Sequence, residues 1–453
     1  MNRKKVVFVH YRVGLTDGVS LEIEKRRQIL EGMGCEVKLV SGPRQRGADF
    51  IIDELEYDTL DIRDIKENCF KYFNKATLDS KNLIAVIDEV SKHIEKAFLA
   101  YYHKEKFDVI FLHNMFSLGL HISTASAFAR IARKLNIPVI ATHHDFYWER
   151  KDFLEPVNEE VSEYLETYVP PTKIDNIKHV CINSLAQAEL KRRKGISAIV
   201  ISDVFDFKQK SWTPDEYNSD LLQTIGVKPN DLVVLQATRI VKRKGIELTV
   251  QFVRELEKHK DKLIGKTLYN GKRITSDSSV VLILAGYTEE FDKQYLKNLE
   301  DEITTVKIKA KFINSIVGAE RSYGDKKIYS LWDVYVFSDL ITYPSIFEGW
   351  GNQFIEAVFA RKPIVLFEYP VFISDIKKEG YFFISLGSKI RGNDKNNLIE
   401  IDVSKVNKAA IGSIKALTSL ETNILLDRNF EIGTRYHDYN VLKEFLTTYV
   451  KDI

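Results

Sequence analysis

A glycine-bearing loop at residues 344–352 connects a strand pattern to a helix pattern. The apolar run at 340–343 predicts a buried strand, and a Pro-Ser pair ends it. After the loop, apolar residues recur at helical spacing from Phe354 to Phe359. A strand, glycine loop and helix in this order point backbone N–H groups and a helix N-terminus at one spot. The sequence therefore predicts an anion-binding site here.

Two carboxylates flank this loop. Glu348 lies on the loop, and Glu356 follows eight residues later in the predicted helix. Gly349 and Gly351 allow the backbone to approach a ligand closely, because they lack a Cβ. Glu348 is then placed for one end of a ligand and Glu356 for the other, with phosphates between them, which is the layout of a sugar nucleotide. The alternative is a helix-capping loop whose two glutamates are merely solvated.

The stretch resembles the E-x7-E signature of the family 4 retaining glycosyltransferases, whose usual form is close to P-S-x-x-E-G-F-G-x-x-x-x-E-A. The sequence PSIFEGWG at 344–351 and the pair EA at 356–357 match it, with Trp350 in place of the more common phenylalanine. The resemblance implies the GT-B fold, an α/β architecture in which two Rossmann-like domains face a central cleft.

A basic loop follows a second apolar run, at 232–237. Arg239 and Lys244 lie between this predicted strand and a helix, where an arginine can bind a diphosphate as a fork and a lysine as a point charge. Alone, this pattern is typical of a solvated basic loop. It also resembles the family motif G-R-x-x-x-x-K-G, with Ala237-Thr238 replacing the glycine, and Gly286 matches the family's glycine at the end of the next strand.

Polar residues follow two predicted strands of the N-terminal half, at 108–112 and 138–142. They are His113, Asn114, His143, His144 and Asp145. Because the carboxyl ends of parallel strands meet at one edge of a sheet, we expect these residues to point into one cleft. Adjacent residues at a strand end point oppositely, and no further ligand set lies nearby, so a metal site is not predicted.

The resemblance also implies roles for these N-terminal residues. In the family, a histidine directly after this strand hydrogen-bonds the donor sugar, and the pattern V-x-x-T-x-H assigns it to His144. The structural alternative is a histidine that only satisfies loop carbonyls. On the acceptor side the expected residues are His113, Asn114, His143 (also the second choice for the donor contact) and Asp145. Gly18 is carried over for the loop that closes over the diphosphate, although the family's usual Gly-Gly pair is Asp17-Gly18 here.

Length and composition set the broad class. A chain of 453 residues suits two domains, and alternating helix and strand patterns indicate an α/β fold with parallel sheets. A net charge of +2 gives no reason to expect nucleic acid as a partner. No apolar run reaches the roughly 18 residues of a membrane span. Three widely spaced cysteines fit a reducing cytoplasm. Peripheral contact with the inner face of the membrane stays open.

The predicted domains are 1–205 on the acceptor side, 206–430 for the nucleotide sugar, and 431–453 as a C-terminal helix that crosses back to the N-terminal domain. Prolines and polar residues make 206–230 the expected linker, and the polar stretch 262–278 is expected to be a surface loop.

The family resemblance implies a retaining hexosyltransferase that needs no metal or other cofactor. Its donor is a nucleotide sugar of the UDP-glucose or GDP-mannose type, and its acceptor is a hydroxyl of a sugar, glycan or small polyol. Arg239 and Lys244 would stabilise the departing diphosphate, Glu348 would bind hexose hydroxyls, Glu356 the ribose, and His144 the C6 side of the hexose. The loop amides expected on the diphosphate are those of Gly349, Trp350, Gly351 and Asn352.

Two other classes of function stay open at this point. One is an inactive protein that binds a sugar nucleotide or acts as a scaffold, which the intact motif residues argue against. The other is a phosphorylase-type enzyme of the same fold, although no pyridoxal lysine motif is evident.

Overall fold

The computed structural model describes residues 3–15, 17–72, 80–289, 292–324 and 326–451. The chain forms two compact units, each with its own parallel sheet. Unit 1 is Met1–Asp203 together with Tyr439–Ile453, and unit 2 is Val204–Asp438. The α/β class that the sequence predicts is therefore confirmed.

Unit 1 is built on a sheet whose strands are β1 (Lys5–Val9), β2 (Glu36–Ser41), β3 (Phe50–Ile51), β4 (Val109–His113), β5 (Val139–His143), β6 (Ile177–Cys181) and β7 (Ala198–Val200). Its helices are α1 (Gly18–Gly32), α2 (Leu60–Phe70), α3 (Ser80–Glu105), α4 (Ser123–Leu135), α5 (Glu159–Tyr168) and α6 (Ser184–Lys194). Strands β4 and β5 are buried along their whole length, as their apolar runs predict for central strands of a parallel sheet.

The strand order in unit 1 is β3-β2-β1-β4-β5-β6-β7. Neighbouring strands are parallel throughout. The order reverses between β1 and β4, so the chain leaves these two neighbours in opposite directions. In doubly wound sheets, ligands bind at this reversal, outside the carboxyl ends of the strands. The fold thus directs attention to the loops that follow β1 and β4.

Unit 2 has a main sheet made of β8 (Leu232–Gln236), β9 (Val280–Leu284), β10 (Lys309–Phe312), β14 (Leu340–Tyr343), β15 (Ile364–Leu366) and β16 (Ile384–Ser385). Short strands β11 (Val317–Gly318), β12 (Ser322–Tyr323), β13 (Lys327–Ser330), β17 (Gly392–Asn393) and β18 (Ile399–Glu400) form two small sheets. The helices are α7 (Leu221–Thr224), α8 (Ile246–Lys258), α9 (Lys293–Val306), α10 (Leu331–Phe337), α11 (Asn352–Phe359), α12 (Val403–Thr418) and α13 (Thr422–His437).

The main sheet of unit 2 has the order β10-β9-β8-β14-β15-β16 and is parallel throughout. Its reversal point lies between β8 and β14. A buried carboxylate holds these strands together at their other end, because Asp339 accepts hydrogen bonds from Val233 N at 2.8 Å and from Lys272 Nζ at 2.6 Å. The two loops with the sequence motifs leave the sheet from these neighbouring strands.

Two segments differ from the sequence expectation. The predicted linker 206–230 is packed into unit 2, where Trp212 stacks on Trp332 at 4.3 Å between ring centroids and Asn218 donates to Asp333 Oδ1 at 2.9 Å. The predicted surface loop 262–278 buries Leu268 and Ile274. Isolated apolar residues in a polar stretch have no periodicity, so the sequence gives no sign that they pack.

The C-terminal tail is two helices rather than one. Helix α13 ends at His437 and belongs to unit 2, and α14 (Tyr439–Lys451) belongs to unit 1. Asp438 separates them with an extended backbone (φ −73°, ψ 155°), and its carboxylate accepts from Phe207 N at 3.2 Å. The predicted 431–453 segment is therefore divided at Asp438. Within the described ranges, no helix is both long and apolar enough to cross a membrane.

Gly286, just after β9, lies against the backbone of the loop that follows β8. A Cβ at this position would lie 1.9 Å from Thr238 O. The two segments cannot move apart freely, because Ile240 N donates to Tyr287 O at 2.8 Å and holds them together. Only glycine fits this approach. The close packing gives Gly286 a structural reason to be glycine that is separate from donor binding.

We predict that Gly286→Ala destabilises the protein by about 1–3 kcal/mol, the usual cost of overpacking. Gly392→Ala is the matched control, because a Cβ there meets no atom within 4 Å. Urea unfolding of both variants and the parent chain checks this expectation. Equal unfolding midpoints for the two variants would contradict the packing explanation.

Candidate active site

The two motif loops of unit 2 are joined by their backbones. Ile346 N donates to Arg243 O at 3.0 Å, which ties the loop after β14 to the loop after β8. Gly245 has a φ of +57°, and a Cβ there would lie 2.7 Å from Pro344 O. A glycine at this position therefore satisfies both the left-handed backbone and the close approach. The reversal point of the sheet thus becomes one continuous surface of loops.

Glu348 is the centre of this surface and is only 8 % exposed. Lys244 Nζ donates to its Oε1, and Arg243 Nη1 donates to its Oε2 at 2.8 Å. Burial acts to raise the pKa of this carboxyl group, but the charges of Lys244 and Arg243 outweigh burial and hold the pKa below its usual value. Glu348 is therefore ionised at neutral pH. The structure brings the two predicted residues Lys244 and Glu348 into direct contact.

Arg243 is a site residue that sequence reasoning missed. It precedes Lys244 in a short 3-10 turn, Lys242–Lys244. Arg243 Nη1 also donates to Phe347 O at 3.2 Å, so this side chain grips the loop that carries Glu348. The basic run around the motif was the available signal. It does not say which of three neighbouring cations reaches a residue 105 positions away.

Arg239 lies outside this cluster. Its guanidinium pairs with Glu289, and its side chain is 40 % exposed. It follows β8 at the same sheet edge as Lys244, so its predicted role at the diphosphate is compatible with its place in the fold. That role stays a prediction.

The glycine loop leads into α11 as the sequence predicts. Gly351 precedes the helix, and a Cβ there would lie 2.8 Å from both Tyr369 Oη and Ile376 Cδ1. Trp350 is buried, with its ring 5.4 Å from that of His437. Asn352 is the first residue of the helix. The N–H groups of the four loop residues from Gly349 to Asn352 thus lie at the N-terminus of α11, where an anion is favoured.

Glu356 lies on α11 beyond the loop. Tyr335 Oη donates to Glu356 Oε2 at 3.2 Å, and the carboxylate is half-buried. The two carboxylates flank the start of the helix, as the spacing of eight residues implies. Their predicted contacts with hexose and ribose remain predictions.

In unit 1, four of the predicted polar residues meet after β4 and β5. His113 Nδ1 and His144 Nε2 lie 3.0 Å apart, and His144 N donates to Asn114 Oδ1 at 2.8 Å. Asn114 Nδ2 lies 3.5 Å from Asp145 Oδ1, and Asp145 Oδ2 also accepts from Arg150 Nε at 3.0 Å. His144 is half-buried, whereas His113 is fully buried behind it.

The structure separates His143 from this group. Its Nε2 lies 3.0 Å from His179 Nδ1 on the neighbouring strand, and the side chain is buried. Side chains of successive strand residues point to opposite faces of the sheet, which explains why His143 and His144 contact different partners. The predicted Gly18 is the first residue of α1, whose N-cap is Asp17.

His113 and His144 are held neutral by their surroundings. Burial lowers the pKa of His144 and His113 well below the usual 6.5, and the nearby charge of Arg26 lowers both further. Arg26 itself is buried on α1 and donates to Glu22 Oε2 at 2.7 Å. Neutral imidazoles offer one N–H donor and one acceptor each, which suits hydrogen bonds to hydroxyl groups. Among the described residues, no group of three or more His, Cys, Asp or Glu side chains is arranged to hold a metal ion.

Comparisons with known proteins identify the family to which the chain is similar. The family model described as glycosyl transferases group 1 matches residues 219–386. Mannosylglucosylglycerate synthase from Petrotoga mobilis is 42 % identical over 404 residues, which cover 88 % of this chain and 91 % of that protein. Mannosylglucosylglycerate synthase from Thermotoga maritima is 36 % identical over 446 residues, which cover 98 % of this chain and 99 % of that protein.

Solved structures give the same fold. Sucrose-phosphate synthase from Thermosynechococcus elongatus has a TM-score of 0.59 at 13 % identity and covers 99 % of both chains. The catalytic domain of starch synthase IV from Arabidopsis thaliana has a TM-score of 0.58 at 11 % identity, again over 99 % of both chains. These likenesses confirm the predicted GT-B class.

The buried histidines of unit 1 make its stability depend on pH. Burial lowers the pKa of His10, His121 and His179 to about 4, whereas an unfolded histidine titrates near 6.5. Between these values the unfolded chain binds more protons than the folded chain, so acid favours unfolding. The contribution of these neutral histidines to the free energy of unfolding is fully present above pH 6.5. It is lost as the pH falls towards 4, by at most about 1.4 kcal/mol per pH unit for each histidine.

We predict that His121→Gln reduces this pH dependence. The His121 Nε2–H donates to Glu54 O at 2.7 Å, and a glutamine amide can donate in the same way without binding a proton. Urea unfolding of each protein is measured at pH 7, 6 and 5, with amide hydrogen exchange in β4 and β5 as the readout for unit 1. The change in the free energy of unfolding per pH unit is then compared between the two proteins. An identical slope in the variant and the parent would rule out His121 as a contributor.

Proposed function

Since the chain belongs to the glycosyl transferases group 1 family, we propose that it transfers a mannosyl group from a nucleotide-activated mannose to a hydroxyl group of glucosylglycerate. That membership makes the chain a glycosyltransferase. The observation that carries the proposal is its similarity, at 42 % and 36 % identity and over most of both chains, to two mannosylglucosylglycerate synthases. Of the two donor types that the sequence left open, this favours the GDP-mannose type over UDP-glucose.

The charge distribution in unit 2 supports the donor part of the proposal. Lys244 and Arg243 place two positive charges against the single carboxylate of Glu348, and the N-terminus of α11 lies next to them. The surplus positive charge suits a diphosphate that becomes more negative as it leaves. The ionised carboxylate of Glu348 is a hydrogen-bond acceptor, which suits contacts with mannose hydroxyls. Arg239 adds a further cation at the same sheet edge.

We propose transfer with retention by attack on the front face of the mannose. The bond from C1 to the phosphate oxygen breaks, the bond from C1 to the acceptor oxygen forms, and the acceptor proton passes to the leaving phosphate. No protein nucleophile is needed for this sequence, and His144 would bind the mannose rather than react with it. The protein cations would neutralise the diphosphate without a metal ion.

The first experiment is a transfer assay with the purified chain. GDP-mannose and UDP-glucose are each offered with glucosylglycerate in the presence of EDTA, and NMR of the product reports the anomeric configuration. We expect an α-mannosylated product from GDP-mannose, which would show retention. Binding of GDP-mannose, seen as a thermal shift, without any transfer would instead support the inactive sugar-nucleotide-binding alternative.

We predict that Lys244→Ala and Glu348→Ala each reduce turnover by at least about 100-fold, because each removes a contact to the transition state. Lys242→Ala is the matched control, since it removes the same charge from an exposed position of the same turn. Thermal unfolding of each variant confirms that the protein is folded. Rates close to those of the parent in either Lys244→Ala or Glu348→Ala would contradict the proposed roles.

A further inference from the structure

The loop after β1 carries an arginine that the activity described above does not use. Arg12 lies three residues beyond β1, at the reversal point of the sheet in unit 1. The backbone around it is fixed, because Gly42 N donates to Tyr11 O at 3.0 Å and Arg46 N donates to Val13 O at 3.0 Å. The position of Arg12 is therefore set by the fold.

The guanidinium of Arg12 lies over an aromatic ring and is only loosely paired with a carboxylate. Its Cζ is 5.4 Å from the centroid of the Tyr57 ring, and its side chain is 35 % exposed. Within the part of the chain that the structure describes, it donates no hydrogen bond. Arg12 Nε forms an ion pair with Asp17 Oδ2 at 3.8 Å, which is too long for a hydrogen bond, and this oxygen already accepts from Ser20 Oγ at 2.7 Å. A guanidinium that rests on an aromatic ring still has N–H donors at its edge, and these can bind a ligand.

A second arginine at the same ring shows the contrast. Arg44 Cζ is 4.9 Å from the Tyr57 centroid, but Arg44 Nε and Nη2 donate to the two oxygens of Glu56 at 2.7 and 2.5 Å. Arg44 Nη1 also donates to Asp58 Oδ2 at 3.3 Å. The charge of Arg44 is thus balanced by two carboxylates of the protein. The charge of Arg12 is not balanced by a hydrogen-bonded carboxylate.

We propose that Arg12 binds the carboxylate of the acceptor, with Tyr57 orienting the guanidinium. This inference rests on the proposed function, because glucosylglycerate carries one carboxylate in addition to its hydroxyl groups. A guanidinium pairs with a carboxylate through two parallel hydrogen bonds, which select the acid over a neutral analogue. Arg12 therefore determines acceptor specificity, and it is distinct from the residues that contact the donor.

The test compares two acceptors that differ only in this group. One is glucosylglycerate, and the other is glucosylglycerol, in which the carboxylate is replaced by an alcohol. We expect the parent chain to prefer the acid in kcat/KM. In Arg12→Gln, the ratio of kcat/KM for acid to neutral acceptor should fall by about 10- to 100-fold, as expected for the loss of a charge-assisted pair. Arg12→Lys should restore part of the ratio, since it keeps the charge but not the fork.

Arg63→Gln is the matched control, because Arg63 is a half-exposed arginine of the same unit that pairs with Asp58 at 2.7 Å. It should leave the acid-to-neutral ratio unchanged. If the parent prefers the acid and Arg12→Gln retains that preference, the role of Arg12 is overturned while the proposed function stands. If the parent mannosylates neither acceptor, the proposed function fails and the assignment of Arg12 fails with it.

Discussion

The buried carboxylate of Glu348 is the constraint on which the site in unit 2 depends. Its cationic partner Lys244 is 104 residues away in sequence, and the two meet only because β8 and β14 are neighbours in one parallel sheet. A buried carboxylate that loses its partners is several kcal/mol less stable than a paired one. The pairing therefore fixes both motif loops at the reversal point of the sheet, and the order of the strands becomes a condition for the chemistry.

This cluster also explains why the motif loops contain glycines in addition to their carboxylates and cations. Gly245 has to approach Pro344 O before Lys244 and Arg243 can reach Glu348, and Gly351 has to fit against Tyr369 before α11 can begin. The glycines thus position charges as well as admit a ligand. The result is a surface with one more positive than negative charge in its centre, beside a helix N-terminus. Such a surface is organised for an anion before the anion arrives.

The sequence predicts the parts of this protein whose signals are local. Apolar runs locate β4, β5, β8 and β14, and the polar or glycine-bearing loops after them locate the carboxyl edges of the two sheets. Contacts over long distances are not predictable in the same way. The partnership of Arg243 with Glu348, the stacking of Trp212 on Trp332 and the division of the tail at Asp438 all depend on packing between distant segments. His143 and His144 are adjacent in sequence, and the sequence predicts both at the cleft. The alternation of side chains along a strand, which at the level of the sequence argues only against a metal site, explains why His143 packs against His179 instead.

Units 1 and 2 share the same order in the first strands of their sheets but hold different chemistry at the reversal point. Unit 2 concentrates ionised groups around Glu348, whereas unit 1 holds buried neutral imidazoles. Burial lowers the pKa of His10 to about 4, and burial together with the charge of Arg26 lowers the pKa of His113 and His144. Neutral donors and acceptors match hydroxyl groups, and ionised groups match phosphates. Arg12 is the exception in unit 1, since its charge has no hydrogen-bonded carboxylate among the described residues. The fold therefore fixes where ligands bind, and a few side chains at each reversal point decide which ligand groups they accept.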